Sequence, residues 1–205
     1  MGREDARVAV SNYYQHLYQY DVSPNDITLT LGATEAVATA LRTIGSPGDK
    51  VVIFEPFHEL YPSQCGIFYL DPVYVTLHAS SVEETGRWNY DYEELRGAIE
   101  DGKTKALILN TPHNPTGKVF TYEELESIVE LCIRNDVYII TDEIYEHMTY
   151  PDENENENNN NNNNSYREHI LIPKAFPQAA ALTLVCNSIG KSASATGWRL
   201  GWCLT

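Results

Sequence analysis

The sequence predicts an α/β domain with a mostly parallel central sheet and helices on both faces. Three observations predict it. Short apolar runs recur at 51–54, 106–109, 137–140 and 181–185, continuous rather than alternating. Such runs mark strands buried on both faces. Helical patterns lie between them, the clearest at 121–133, and strands alternating with helices imply a parallel sheet. Small and polar residues gather directly after the runs, at the strand ends where open α/β sheets hold their ligands.

The elements follow in order. Residues 5–20 read as a helix, with Val8, Tyr14, Leu17 and Tyr18 on one face. Residues 27–31 form a short strand bounded by Pro24, Asn25 and Asp26, and 32–36 lead into a helix through Ile44. A turn at 46–49 precedes the strand at 51–54, which the stretch 55–62 breaks. A strand at 73–77 comes next, then a helix at 90–99, capped by Asp91 with Glu94 three residues later. The strand at 106–109 ends in Asn110-Thr-Pro-His-Asn-Pro-Thr-Gly117. Thr121-Tyr-Glu-Glu124 is a capping box, and Leu125, Ile128, Val129, Cys132 and Ile133 follow at helical spacing. The strand at 137–140 runs into Thr141-Asp-Glu-Ile-Tyr145. Residues 152–164, a Glu/Asn repeat fading into asparagines, hold no apolar residue and read as a disordered surface insertion. The last apolar run and its turn complete the domain.

The chain has 205 residues, room for one domain with a sizeable core. Its formal charge of −15 argues against nucleic-acid and anionic-membrane partners. Cys65, Cys132, Cys186 and Cys203 are scattered without a C-x-x-C pair. They read as reduced structural thiols of a cytoplasmic protein. No run has the length of a membrane span, the N-terminus has no signal-peptide core, and no metal site is expected.

Lys191 lies in a turn of small residues, with Ser188 three positions before it and Arg199 eight after. Small neighbours leave the lysine stem free to reach into a cleft. An amine beside a guanidinium and a phosphate site loses its proton more easily and can form a Schiff base with an aldehyde. Gly32, Ala33 and Thr34 stand between a strand and a helix, where exposed backbone N–H groups suit a phosphate; an ordinary strand–glycine–helix turn has the same wording. Asn110 and Asn114 flank a tight turn. Asp142 follows a buried strand, where a carboxylate can pair with a protonated ring nitrogen or cap a helix. Tyr145 comes three residues later. Arg199 suits a phosphate as a charged fork, and beside Trp198 and Trp202 it also suits plain stacking.

Together these segments, with Glu-Pro-Phe-His at 55–58 and Ser-Ile-Gly-Lys at 188–191, resemble the pyridoxal-phosphate aminotransferases of fold type I, class I/II. The wording is most similar to the kynurenine, methionine and aromatic aminotransferase branch and its cysteine-conjugate β-lyase relatives. The resemblance covers nearly all of the chain outside the Asn-rich tract. It implies pyridoxal 5′-phosphate carried on Lys191, with Asp142 at the pyridine nitrogen. It puts Asn114 and Tyr145 at the phenolic oxygen, Asn110 over the ring plane and His58 stacked on the ring. Phe57 is then a core residue and Tyr61 the alternative stacker. Gly32, Ala33, Thr34, Ser188 and Arg199 grip the phosphate. Lys191, Asp142 and Tyr145 are the catalytic set, and Glu143 receives no role.

Family chains are much longer. Residues 1–205 are similar to the large, cofactor-binding domain; the N-terminal arm and the small C-terminal domain, with its substrate-binding arginine, are expected to be absent. The implied activity moves an amino group between an amino acid and a 2-oxo acid, in amino-acid metabolism, by a chain that forms a homodimer at full length. A carbon–sulfur β-lyase on the same scaffold and a catalytically inactive cofactor-binding domain are the alternatives.

Overall fold

The computed structural model describes residues 1–81, 87–150 and 169–205. The chain runs α1 (Glu4–Tyr18), β1 (Ile27–Thr30), α2 (Ala33–Ile44), β2 (Lys50–Glu55), α3 (Leu60–Ile67), β3 (Asp71–Ala79) and β4 (Trp88–Tyr90). It continues with α4 (Tyr92–Ile99), β5 (Thr104–Asn110), α5 (Tyr122–Arg134), β6 (Tyr138–Asp142), α6 (Ile172–Ala175), β7 (Thr183–Ser188), α7 (Ile189–Ser192) and β8 (Gly201–Leu204). The eight strands of the described residues join one sheet, ordered β1-β8-β7-β6-β5-β2-β3-β4. The central strands β7, β6, β5, β2 and β3 pair in parallel. β8 runs antiparallel between β1 and β7, and β4 runs antiparallel at the far edge.

The continuous apolar runs are explained by the two covered faces. Successive side chains of a strand point to opposite faces. Val52, Leu107 and Ile139 enter one core, under α4 and α5. Val51, Ile53, Ile108 and Ile140 enter the other, under α2 and α3. Each fully buried aliphatic side chain contributes about 1.5–3 kcal/mol relative to an exposed one. α2 buries Ala36, Val37, Ala40 and Leu41; α5 buries Leu125, Ile128, Val129, Leu131 and Cys132 behind a complete Thr121–Glu124 capping box. A third core holds α1 on the sheet through Tyr14, with Ile27, Leu171, Val185, Trp202 and Leu204.

Several sequence expectations are corrected. The stretch that breaks β2 also opens α3, because Pro62 falls in the first helical turn, where a missing N–H leaves no bond unmade. The helix expected from residue 90 starts at Tyr92, and residues before it form β4 against Leu77–Ala79. Asp91 caps α4 alone, accepting from the Glu93 N–H at 2.8 Å, while Glu94 turns to the Thr76 N–H. The final segment forms β8, which no alternation predicted. All four cysteines are buried and unpaired. Among the described residues no helix is long and apolar enough to cross a membrane. The tract 152–164 lies outside the described residues.

Candidate functional site

Strand register builds one rim. Asn110 pairs with Asp142, Asp142 with Cys186, Ser188 with Gly201, and Thr30 with Gly201. The rim opens into a cavity of about 180 Å³. Ala33, Thr34, His58, Asn110, Asn114, Asp142, Tyr145, Ser188, Lys191 and Arg199 all line it. Of the residues the sequence assigned to the cofactor or the catalytic set, Gly32 alone does not line it.

Gly32 explains how one end is built. It is the N-cap of α2, with φ +78°, a conformation side chains rarely adopt. A Cβ there would lie 2.6 Å from Arg199 Nη2. A Cβ on Gly201 would lie 2.4 Å from the Gly32 carbonyl carbon. Two glycines therefore let the start of β8 abut the start of α2, and the guanidinium doubles back over the helix end. Arg199 itself has φ +51°, uncommon for a non-glycine residue. Its Nη2 donates to Leu31 O at 3.2 Å and Thr34 Oγ1 at 3.4 Å. Among the described residues it has no carboxylate partner within ion-pair distance. The cation, the Thr34 hydroxyl and the free N–H groups of the first α2 turn together suit an anion. Ser188 sits beside them, its Oγ accepting from Gly190 N–H at 3.3 Å as the cap of α7.

The opposite end is organised by Asp142, which is 6% exposed. It caps no helix. Its Oδ2 accepts from the Tyr61 hydroxyl at 2.6 Å, and its buried Oδ1 has no hydrogen-bond partner. Burial raises the Asp142 pKa; the Tyr61 bond and the Ile144 amide pull it back without cancelling that rise. Burial and the neighbouring Asp142 charge hold the Tyr61 phenol well above its usual range. The Asn110 amide clamps the surrounding backbone, donating to Asp142 O at 2.8 Å and accepting from Asn114 N–H at 2.7 Å. That amide is thus committed to protein partners, although it borders the cavity.

Lys191, on α7, holds its Nζ 5.8 Å from the centre of the half-buried Tyr145 ring. Burial, then the charge of Asp142, raises the Tyr145 phenol. His58 is half-buried and tilted by 54° against Tyr61, ring centres 5.8 Å apart. Tyr61 is an Asp142 partner rather than a free stacking ring.

Sequence reasoning named Tyr61 as an alternative stacking ring rather than as an Asp142 partner, and missed Gln64 and a second group altogether. Tyr61 and Gln64 share one side of α3, and Gln64 Nε2 donates to Thr34 O at 2.8 Å. Recognising α3 would have exposed that i, i+3 spacing. The second group lies behind the rim. Glu146 accepts from Tyr13 at 2.7 Å, from Asn187 at 2.6 Å and from Tyr18. Glu143 accepts from Thr141 at 2.8 Å and pairs with His169 at 2.9 Å. No local signal joins residues so far apart in the chain.

Fold and site together define an open α/β domain that can hold a small anionic molecule against an amine and a half-paired carboxylate. All 205 residues match the family described as aminotransferase class I and II. The chain belongs to that family. It is 35% identical to kynurenine–oxoglutarate transaminase 3 of Rattus norvegicus, over 95% of this chain and 40% of the relative. It is 36% identical to aspartate aminotransferase of Bacillus sp. strain YM-2, over 95% and 44%. It superposes on N-succinyldiaminopimelate aminotransferase of Mycobacterium tuberculosis with a TM-score of 0.85 and 30% identity, over 99% and 48%. The chain spans less than half the length of each.

Proposed function

We propose that residues 1–205 are the cofactor-holding unit of a pyridoxal-phosphate-dependent aminotransferase. It moves an amino group between an amino acid and a 2-oxo acid. The observation that carries this reading is the buried Oδ1 of Asp142, which has no hydrogen-bond partner, on a residue that lines the same cavity as Lys191 and Arg199. An acceptor without a donor, sealed from water, fits a ligand that brings an N–H. A protonated pyridine nitrogen is such a donor.

The remaining residues fit the other parts of the cofactor. Arg199, Thr34, Ser188 and the first turn of α2 would hold its phosphate. Asn114 and Tyr145 would meet its phenolic oxygen, His58 its ring, and Lys191 its aldehyde. When bound, pyridoxal phosphate supplies an aldehyde that takes up amines and a ring that accepts the electrons released at a substrate carbon. Asp142 keeps a proton at the ring nitrogen by offering a negative charge there. The Lys191 amine takes the proton from the substrate Cα and returns one, as general base and then acid. The exposed Leu31, Trp198 and Leu200 beside Arg199 support a homodimer of the full-length protein. Four unpaired cysteines support a reducing compartment such as the cytoplasm.

The test is to titrate the purified chain with pyridoxal phosphate, reduce with borohydride and map the labelled peptide. Label on Lys191, lost in Lys191→Ala, is expected. No label, or label spread over other lysines, sinks the reading.

A further inference from the structure

We propose that Tyr61 is the positioning residue of Asp142: its hydroxyl fixes one carboxylate oxygen so that the other is left as the acceptor of the cavity. This rests on the cofactor reading above for its purpose, though not for its geometry.

Tyr61 is 4% exposed and projects from α3 beside the cavity. Its hydroxyl donates to Asp142 Oδ2 at 2.6 Å, shorter than most O–H···O bonds and typical of a charge-assisted one to a carboxylate. The backbone of Asp142 is held separately, through its carbonyl, by the Asn110 amide. With the main chain held and Oδ2 engaged, a turn of the carboxylate breaks the Tyr61 bond, so Oδ1 stays the single unpartnered oxygen. Removal of the hydroxyl frees the group to turn. It also strips away the one side-chain hydrogen bond that favours the charged form, leaving only the Ile144 amide, and a buried carboxylate with fewer donors takes up a proton more readily. A neutral Asp142 no longer holds a proton on a ring nitrogen.

The other groups that bear on Asp142 are few. The Ile144 amide, Glu143 and Tyr145 act from its own turn, His58 from the loop before α3, and Cys186 from β7, its register partner. None of these makes a side-chain hydrogen bond to either carboxylate oxygen. Gln64, one turn further along α3, lines the same cavity and bonds Thr34 O instead. It is therefore the natural control.

The experiment reads Asp142 directly. The cofactor-free chain is labelled with 13C at the aspartate carboxyls, the Asp142 signal is assigned with Asp142→Asn, and pH is titrated. In Tyr61→Phe the Asp142 midpoint is expected to move upward, while Gln64→Ala leaves it in place. An unmoved midpoint in Tyr61→Phe, or equal movement in both variants, overturns the proposal. Should Tyr61→Phe fail to fold, the wild-type chain still decides. A slowly exchanging low-field proton from the Tyr61 hydroxyl is expected, and its absence overturns the bond. In a parallel binding titration, Tyr61→Phe weakens pyridoxal phosphate by about tenfold or more, the scale of a hydrogen bond to a charged group. A wild-type chain that binds no pyridoxal phosphate refutes the proposed function; the carboxyl titration then still judges Tyr61 alone.

Discussion

Asp142 and Glu146 stand on the same turn, both buried, and the fold treats them in opposite ways. Glu146 accepts from three donors, two of them tyrosines of α1 and the third Asn187 beside the rim. It fastens the N-terminal helix to the turn that carries Asp142 and Tyr145. Asp142 has one side-chain donor, Tyr61 on Oδ2, with the Ile144 amide close by, and its Oδ1 has no hydrogen-bond partner. Leaving a buried acceptor unmatched costs about 1–3 kcal/mol, and a domain that spends three donors on Glu146 had the means to avoid it. The difference separates architecture from chemistry. A fully bonded buried carboxylate holds elements together; a half-bonded one bordering a cavity marks where a ligand completes the set.

The largest effect that tests this contrast is Glu146→Ala. It leaves the Tyr18 hydroxyl and the Asn187 amide without this acceptor, and the Tyr13 hydroxyl with His147 Nε2 alone. We expect a loss of about 3 kcal/mol or more in stability, measured by urea denaturation of the cofactor-free chain. Asp142→Asn should do the reverse. Stability changes by less than about 1 kcal/mol, while the transamination proposed for the full-length protein falls by about a hundredfold or more, as for loss of a preorganised charge. Equal destabilisation by the two variants would erase the distinction. Tyr13→Phe removes one of three donors and should cost about 1.5 kcal/mol, read from the same denaturation curves.

The smallest effect is a pH dependence. Burial alone would lower the His169 pKa, but the hydrogen-bonded Glu143 carboxylate outweighs it and the pKa is raised above 6.5. The folded chain therefore binds that proton more tightly than the unfolded chain. Its contribution is full below the ordinary histidine range and is lost as pH rises through the raised value. Denaturation at a series of pH values should show stability declining above neutrality. His169→Gln should flatten that decline without moving the Asp142 titration. If it moves both, the two regions are one network and the comparison fails.

Much of this was legible in the chain itself. The runs at 51–54, 106–109 and 137–140 announced strands with both faces covered, and Thr121 with Glu124 announced α5. The rim residues were legible because most of them follow a strand, and parallel strands end on one edge. What escaped notice has a common cause. α3 hides behind Pro62, and β4 and β8 are only three and four residues long, too short for a periodic signal. The network around Glu146 joins α1, the turn after β6 and β7, and local spacing carries no information about such meetings.

The sequence by itself thus determined the class of fold, the family wording and the residues of the rim, because strand burial and turn chemistry are written in neighbouring residues. Only the tertiary structure decided which carboxylate is satisfied and which is not. A hydrogen bond between Tyr61 and Asp142, or between Tyr13 and Glu146, depends on how helices settle against a twisted sheet. That settling is decided by packing over the whole core, and no stretch of sequence contains it.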